Sequence, residues 1–185
     1  MALLLSLRGS VCLYQGEELG LPEAELRYED LVDPYGITFW PEFKGRDGCR
    51  TPMPWLDAPK AGFTTGEPWL PIPAEHQAAS VATQEHDPHS VLTAFRQFLA
   101  WRRTMPTLLV GDIRFLESAE PVLMFERVHG EETLLLAFNL SAETVRVALP
   151  AGDWQAMHVP GPDVGHVVGG ELVLPAQSVY CARRG

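Results

Sequence analysis

The sequence contains 185 residues, of which 46% are hydrophobic and 21% charged, a composition typical of soluble globular proteins that bury a sizeable core. Its formal net charge of -10 excludes a nucleic-acid partner, because neutralising phosphates requires clustered basic residues and the chain has only two short arginine pairs. No apolar run approaches the roughly 20 residues that span a bilayer, so no membrane partner is expected.

The first predicted elements are the end of a helix and a strand. Residues 2–7 are mostly apolar and are expected to be the end of a buried helix. A secretory signal is not expected, because Arg8 interrupts the apolar run and no basic segment precedes it. Residues 11–15 form a short apolar run that ends at Gly16. This pattern predicts a strand buried on both faces, as in a parallel sheet.

A very long connection, residues 17–84, follows this strand. A loop of that length within a compact protein is either functional or disordered, and its many aromatic residues favour function. Within it, the segment GRDGCRTPMPW, residues 45–55, predicts a specifically shaped loop, because glycine permits backbone conformations closed to other residues and proline fixes φ. The alternative interpretation is an ordinary solvated ion pair between Arg46 and Asp47.

The clearest helix is predicted over residues 88–103. Asp87 is a suitable cap and Pro88 suits the first turn. Apolar residues at 91, 92, 95, 98 and 99 mark one face. A helix with such a face needs a sheet to cover it, and residues 1–107 contain only one predicted strand, so this part is interpreted as the end of a larger βα protein.

Beyond the helix, the apolar period changes to two, and turn signals separate the runs. The predicted strands are DIRFLES, VLMFERV, TLLLAFNL, TVRVAL, WQAMHV, ELVLP and SVYCARR. This pattern predicts an antiparallel β-sandwich over residues 108–185 and places the domain boundary at residue 107.

Several motifs in order resemble one enzyme family. YQGEELGL, GRDGCRTPMPW, AGFTTGEPWLP and DPHSVLTAFRQFLAWRR are similar to the C-terminal third of the α-glucosidases of glycoside hydrolase family 13, and the likeness covers nearly the whole chain. It implies that residues 1–107 are the last strand, long active-site loop and last helix of a catalytic (β/α)8 barrel. Residues 108–185 would then be the β-sandwich domain C. The insert YEDLVDPYGITFWPEF looks most like bacterial enzymes that prefer short α-glucosides.

The resemblance also implies a retaining reaction, in which one carboxylate attacks the anomeric carbon and a second carboxylic acid, about 5 Å away, protonates the leaving oxygen. In the family these residues lie on barrel strands that precede this chain, so no catalytic residue is expected here. Glu17 and Glu18 are adjacent on a stretch expected to be extended, where they would point to opposite sides and make structural hydrogen bonds. The chain alone is therefore expected to be inactive.

Residues of the long loop receive binding roles from the resemblance. Arg46 corresponds to the family arginine that hydrogen-bonds the terminal glucose, a task suited to a planar fork of donors that stays charged. Asp33 is expected to border the second sugar. Trp40 and Phe43 are expected either to offer a sugar an apolar platform or to seal the loop onto the barrel. The residues expected to shape the loop are Gly45, Asp47, Gly48, Arg50 and Trp55.

Three functions remain open for the complete protein. The first is hydrolysis of terminal α-glucosidic bonds of short α-glucosides, and the second is transglycosylation or isomerisation, as in a trehalose synthase or sucrose isomerase. The third is a non-catalytic scaffold or binding protein. The expected partners are an α-glucoside and the N-terminal part of the barrel. The isolated chain is expected to form a homo-oligomer, because exposed strand edges and apolar faces invite pairing.

Neither a metal nor a cofactor is expected. Cys12, Cys49 and Cys181 are odd in number and show no ligand spacing, so neither a disulfide framework nor a zinc site is indicated. Reduced thiols fit a cytoplasmic protein best. The histidines at positions 76, 86 and 89 match no ligand pattern and are expected to be solvated loop residues.

Overall fold

The structure is a computed structural model that describes all residues, Met1–Gly185. Its helices are α1 (Ala2–Ser6), α2 (Pro34–Thr38), α3 (Ala74–Ala78), α4 (Val81–Glu85), α5 (Val91–Arg103) and α6 (Pro106–Val110). Its strands are β1 (Asp112–Leu116), β2 (Val122–His129), β3 (Glu132–Asn139), β4 (Val145–Ala148), β5 (Gln155–Ala156), β6 (His166–Val168), β7 (Glu171–Leu174) and β8 (Val179–Arg184).

Grouped by spatial contact, the chain forms two compact units. The first comprises Met1–Cys12 with Ala94–Gly185, and the second comprises Leu13–Thr93. All eight strands belong to the first unit, whereas α2, α3 and α4 belong to the second. The predicted boundary at residue 107 follows chain order rather than spatial grouping and stays a prediction.

The strands form two antiparallel sheets. One has the order β1-β2-β3-β8-β5 and the other β4-β7-β6. In the larger sheet Leu136 lies opposite Phe125 on one side and Cys181 on the other. The predicted β-sandwich is therefore confirmed, and each strand predicted within residues 108–185 is present. Strand β6 was not predicted, because its three residues are all exposed and show no alternation.

The central strand β3 pairs with β2 and β8 and is buried on both faces. Successive strand residues point to opposite faces. Leu136 accordingly packs in a cluster with Leu5 and Phe98, whereas its neighbour Leu135 packs with Leu172 and Leu174 of the smaller sheet. The five-stranded sheet thus has helices on one face and the second sheet on the other.

The apolar face of α5 is covered, contrary to the expectation that nothing in the chain would bury it. In the first unit Phe98 is 2% exposed and packs against Leu5. In the second unit Leu92 is 5% exposed and packs against Leu19. Of the predicted face only Val91 is exposed, at 46%. One reason for expecting a homo-oligomer, an exposed apolar face on this helix, therefore does not hold. Formation of a homo-oligomer stays a prediction.

A fully buried arginine joins three segments of the first unit. The guanidinium of Arg127 donates to the carbonyl oxygens of Ser6 at 2.7 Å, Gly111 at 2.7 Å and Asp112 at 3.3 Å. Ser6 ends α1 and Gly111 follows α6, so the positive charge lies where helix dipoles favour a cation. Burial lowers the pKa of Arg127, and the charges of Arg102 and Arg8 lower it further.

The second unit contains short helices and turns around two small apolar clusters. Ala24, Leu26, Leu31 and Leu70 form one cluster, against which Trp40 packs. A separate cluster consists of Leu19, Met53 and Leu92. With so little apolar surface buried, this unit depends strongly on hydrogen bonds made by buried polar side chains.

The prediction of a strand over residues 11–15 is wrong for this structure, since the segment has no regular secondary structure. A strand requires a hydrogen-bonded neighbour, and no strand of the chain pairs with these residues. The side-chain amide of Gln15 instead donates to the carbonyl oxygen of Thr51 at 3.1 Å.

The predicted start of the long helix is also wrong, because α5 begins at Val91. The hydroxyl of Ser90 accepts from the backbone N–H of Thr93 at 3.2 Å, as an N-cap does. Asp87 instead accepts from the N–H of His89 at 2.8 Å, within the turn before the helix. Both residue types suit a cap, and the proline after Asp87 favoured the earlier position in the sequence.

Candidate functional site

A buried carboxylate fixes the loop of residues 45–55 to the preceding insert. Asp47 is 1% exposed and begins a single 3-10 turn, Asp47–Cys49. One oxygen, Oδ2, accepts from the backbone N–H groups of Val32 and Asp33, each at 2.7 Å. Two backbone donors satisfy the buried charge, so the alternative of a solvated Arg46–Asp47 surface pair does not describe this residue.

Asp33 is the second buried carboxylate and lies 4% exposed at the start of α2. Its Oδ1 accepts from the N–H of Tyr35 at 3.0 Å, and its Oδ2 accepts from the N–H of Arg46 at 3.0 Å. The same Oδ2 lies 3.7 Å from Nη1 of Arg50 and 3.9 Å from Nε of Arg46. The two N–H groups and then the two guanidinium charges lower the pKa of Asp33, while burial opposes the shift.

The two arginines differ in their exposure. The side chain of Arg46 is 64% exposed and that of Arg50 is 41% exposed. The carbonyl oxygen of Arg50 also accepts from the indole N–H of Trp69 at 3.0 Å, which ties the backbone of Arg50 to a residue 19 positions later. Arg46 therefore has a fixed backbone and a side chain available to a ligand.

Close backbone contacts explain two predicted loop glycines. Gly45 has a φ of 75°, and a Cβ there would lie 2.9 Å from the Cα of Gly36. A Cβ on Gly48 would lie 2.6 Å from the carbonyl oxygen of Ala24. Gly36 was not among the predicted loop-shaping residues, although a Cβ there would meet the carbonyl oxygen of Lys44 at 2.5 Å. No sequence pattern marks it, because the contact joins residues eight positions apart in an irregular segment.

The aromatic candidates divide into sealing and exposed side chains. Trp40 is half-buried, packs on the Ala24 cluster and makes a tilted contact with Tyr28 at 5.8 Å. This contact favours sealing over a sugar platform. Phe43 is 47% exposed and lines a cavity of about 380 Å³, so both interpretations of its role stay open. Tyr35 and Phe39, which were not among the predicted site residues, form a stacked, exposed pair with ring centres 6.2 Å apart.

Trp55 closes the loop through its backbone rather than its ring. Its N–H donates to the carbonyl oxygen of Ala61 at 2.9 Å, and its carbonyl oxygen accepts from the N–H of Ala82 at 3.0 Å. The indole is 49% exposed.

Glu17 and Glu18 lie in a 3-10 turn, Glu17–Leu19, and not on the extended stretch that was expected. Each carboxylate nevertheless makes a local structural hydrogen bond. Glu17 accepts from the N–H of Tyr14 at 2.9 Å, and Glu18 accepts from the N–H of Gly16 at 2.8 Å.

The expectation for His76 is wrong, because this residue is 2% exposed. Its Nε2 lies 2.8 Å from the carbonyl oxygen of Pro22, and its Nδ1 lies 3.2 Å from the hydroxyl of Thr51. Because a carbonyl oxygen can only accept, Nε2 is the donor to Pro22. These partners lie 54 and 25 residues away in sequence, so no local pattern could have indicated the burial. His86 and His89 are exposed.

The structure contains no group of three or more His, Cys, Asp or Glu side chains placed to hold a metal ion. Cys12 and Cys49 are exposed and unpaired, whereas Cys181 is buried. Burial raises the pKa of the Cys181 thiol to about 12, which leaves it protonated and unreactive. None of the helices is both long enough and apolar enough to cross a membrane.

Comparison with protein families identifies the chain. Residues 1–111 match the family described as alpha amylase, catalytic domain, and residues 116–181 match a domain of unknown function, DUF3459. The chain belongs to the alpha-amylase family. The catalytic-domain match contains the entire 45–55 loop and the buried Asp33 and Asp47. The resemblance inferred from the motifs is confirmed, and so is the assignment to a barrel domain followed by a β domain.

Curated relatives within the alpha-amylase family are much longer than this chain. A probable alpha-glucosidase of Rhizobium meliloti (strain 1021) is 50% identical over 182 residues, which are 98% of this chain and 33% of the relative. An oligo-1,6-glucosidase of Heyndrickxia coagulans is 32% identical and matches 84% of this chain and 31% of its own length. The chain therefore spans about a third of the relatives that it matches.

Two solved structures of family members resemble the whole chain. An α-glucosyl transfer enzyme, XgtA, is 62% identical with a TM-score of 0.97, covering 100% of this chain and 34% of its own. The trehalulose synthase MutB of Pseudomonas mesoacidophila MX-45 is 26% identical with a TM-score of 0.85, covering 98% of this chain and 37% of its own. The fold of the matched third is thus shared by enzymes with different names.

Proposed function

We propose that this chain is the C-terminal third of a retaining enzyme that cleaves the terminal α-glucosidic bond of short α-glucosides. The observation that carries the proposal is Arg46, an exposed guanidinium on a loop whose backbone is fixed by buried Asp33. The loop lies within the part of the chain that matches the alpha-amylase catalytic domain.

In this proposal Arg46 binds the terminal glucose residue. Its planar group presents several N–H donors in fixed geometry and remains charged at all relevant pH values. One face of the fork donates to a sugar hydroxyl, and the other pairs with a carboxylate from the preceding part of the protein. Because the backbone at Arg46 is already ordered by Asp33, less conformational entropy is lost when the sugar binds.

The proposed reaction is a double displacement. A carboxylate forms a bond to the anomeric carbon while a carboxylic acid protonates the departing oxygen, and water then releases glucose with the same acid acting as base. The resemblance assigns both groups to strands that precede this chain. The acidic residues near the loop are unsuited to replace them, since Asp33 and Asp47 are buried and accept backbone hydrogen bonds. The isolated chain is therefore proposed to be inactive.

A second candidate is transfer of the glucosyl group to a hydroxyl other than that of water. The observation that favours it is the 62% identity to an α-glucosyl transfer enzyme, compared with 50% to a probable alpha-glucosidase. Both reactions share the glucosyl-enzyme step and the same binding arginine, and they differ only in the acceptor. An isomerase is less favoured, because MutB is 26% identical.

A chimera tests the proposal. Residues 1–185 of this chain replace the matching third of XgtA, and the purified chimera is incubated with p-nitrophenyl α-glucoside. Release of p-nitrophenol counts glucosyl-enzyme formation, whereas free glucose counts hydrolysis. A larger share of free glucose than XgtA itself releases under the same conditions supports the hydrolase, and a share equal to that of XgtA gives the hydrolase no support. A folded chimera that releases no p-nitrophenol, beside active XgtA, overturns the proposal.

A further inference from the structure

Asp33 does not have the geometry of a sugar ligand, although it lies on the insert expected to border the second sugar. The residue is 4% exposed. Its two oxygens accept from the N–H groups of Tyr35 and Arg46, and two guanidinium groups lie within 4 Å of Oδ2. At this degree of burial a sugar hydroxyl has little access to either oxygen, and the contacts of Asp33 are instead directed at the binding loop, residues 45–55.

Asp47 orders the backbone from which Asp33 projects. It accepts from the N–H groups of Val32 and Asp33 itself, each at 2.7 Å. Asp33 then accepts from the N–H of Arg46, one residue before Asp47. The two carboxylates thus tie the insert and the loop together reciprocally, and each fixes the backbone next to the other.

The charge of Asp33 also holds two cations near each other. Oδ2 lies 3.7 Å from Nη1 of Arg50 and 3.9 Å from Nε of Arg46. These distances allow electrostatic attraction but exceed those of hydrogen bonds, so the donors of Arg46 remain available to a ligand. Without the carboxylate, the two guanidinium groups would repel each other and the exposed one, Arg46, would move away.

We infer that Asp33 is a positioning residue, which sets the backbone and side chain of Arg46 for the terminal glucose, with Asp47 as its support. This inference rests on the proposed function and deepens it. Asp33 itself does not touch the sugar. In this inference the second sugar lies beside other groups of the insert, and the exposed rings of Tyr35 and Phe39 are the candidates.

Asparagine at position 33 separates positioning from folding. The amide oxygen can still accept from the N–H of Tyr35, and asparagine is a good N-cap, so α2 is retained. The amide nitrogen, however, would face the N–H of Arg46 and can only donate, and the negative charge is lost. Asp30→Asn is the matched control, because Asp30 pairs with Arg27 at 2.8 and 3.0 Å and contacts neither loop arginine.

The variants are measured in the XgtA chimera with p-nitrophenyl α-glucoside. We expect Asp33→Asn to lower kcat/KM by about 10- to 100-fold, as for a misplaced binding group, and Asp30→Asn to change it less than about twofold. The double variant Asp33→Asn, Arg46→Lys should lose no more activity than Arg46→Lys alone, because both changes remove the same contact. A merely structural role of Asp33 would make the two losses multiply.

Asp47→Asn is the second variant, in case Asp33→Asn does not fold. It loosens the backbone at Val32 and Asp33 while keeping the charge of Asp33, so its loss should be smaller but likewise non-additive with Arg46→Lys. Multiplying losses, or an Asp33→Asn chimera with unchanged kcat/KM, overturn the inference and leave the proposed function intact. A folded wild-type chimera without turnover overturns the proposed function, and the inference with it.

Discussion

The interiors of the two units of the chain are stabilised by different kinds of interaction. In residues 13–93 buried polar side chains are nearly as numerous as buried apolar ones, whereas in the other unit buried apolar side chains outnumber polar ones about three to one. The first unit, residues 1–12 and 94–185, is called the β unit, and its strands are buried by two layers of apolar contacts. The second unit, residues 13–93, is called the loop unit, and its backbone is ordered by side chains such as Asp33, Asp47 and Gln84.

This difference separates stability from binding. Apolar packing is non-directional and tolerates modest changes of shape, which suits a supporting domain. Side-chain hydrogen bonds to backbone groups have defined geometry and place a particular residue at a particular point. In the proposed function, a loop that presents one guanidinium to one sugar needs the second kind of order.

The largest expected effect is complete loss of activity when the loop unit lacks the rest of the barrel. The 185-residue chain alone should release no p-nitrophenol from p-nitrophenyl α-glucoside, because a double displacement needs a nucleophile and an acid that this chain is not expected to carry. Turnover that co-purifies with the chain, and persists after expression in a host deleted for its own α-glucosidases, would contradict this.

Truncation of the β-unit core should have the next largest effect. Leu136 is 1% exposed in the middle of β3, and Leu136→Ala should cost about 2–5 kcal/mol of unfolding free energy, measured by urea denaturation. Leu140→Ala is the matched control, since Leu140 is 58% exposed, and should cost less than about 0.5 kcal/mol. Similar losses for both would show that the packing of β3 does not limit stability.

The binding loop should show the opposite behaviour, a loss of catalysis with little loss of stability. In the chimera Arg46→Lys should cost about 2–4 kcal/mol of transition-state stabilisation, because an ammonium group cannot reproduce forked contacts. Arg50→Lys should cost clearly less. The ratio of kcat/KM values, with melting temperatures of both variants, checks this. Similar kcat/KM values for the two variants would reject Arg46 as the substrate arginine.

A smaller effect is expected at the start of α5. The hydroxyl of Ser90, which is 8% exposed, caps Thr93 and also donates to the carbonyl oxygen of Gln84 at 2.8 Å. Ser90→Ala should cost about 1–2 kcal/mol in denaturant unfolding. Asp87→Ala should cost less, because Asp87 orders only the preceding turn. The reverse ranking would restore Asp87 as the helix cap.

The smallest effect is a pH dependence carried by Asp33. Its pKa is lowered in the folded state, so its contribution is present above the unfolded pKa of about 3.9 and is lost as the pH falls through the folded pKa. Carboxyl NMR of the chain should show Asp33 titrating below this unfolded value. Arg50→Gln should raise the pKa. A titration at or above the unfolded value would mean that the paired geometry is not maintained.

The two units also differ in what their sequence reveals. The strands of the β unit were predicted because each carries a repeat of period two, and β6 was missed because its exposed residues carry none. In the loop unit the sequence indicated a shaped loop at residues 45–55 and named Asp33 and Asp47. It could not show that these two carboxylates bind neighbouring backbone groups, since they lie 14 residues apart and spacing in an irregular loop carries no register.

Competing local signals explain the remaining errors. Pro88 made Asp87 the more attractive cap, although Ser90 made the hydrogen bond to Thr93. The sequence around His76 does not distinguish it from an exposed loop histidine, because its partners Pro22 and Thr51 are distant in sequence and approach it only in the folded chain.

Arg127 sets a limit on how modular the β domain can be. A fragment of residues 108–185 would look complete by strand count, yet it would leave behind the carbonyl oxygen of Ser6 and the apolar cover of Leu5 and Phe98. The fragment would then lose a hydrogen bond to the guanidinium and would expose apolar core surface to water, and both changes destabilise it. A graft of this domain should therefore begin upstream of α5 and should also include α1 as a separate segment, because the compact unit consists of two segments that are not contiguous in sequence.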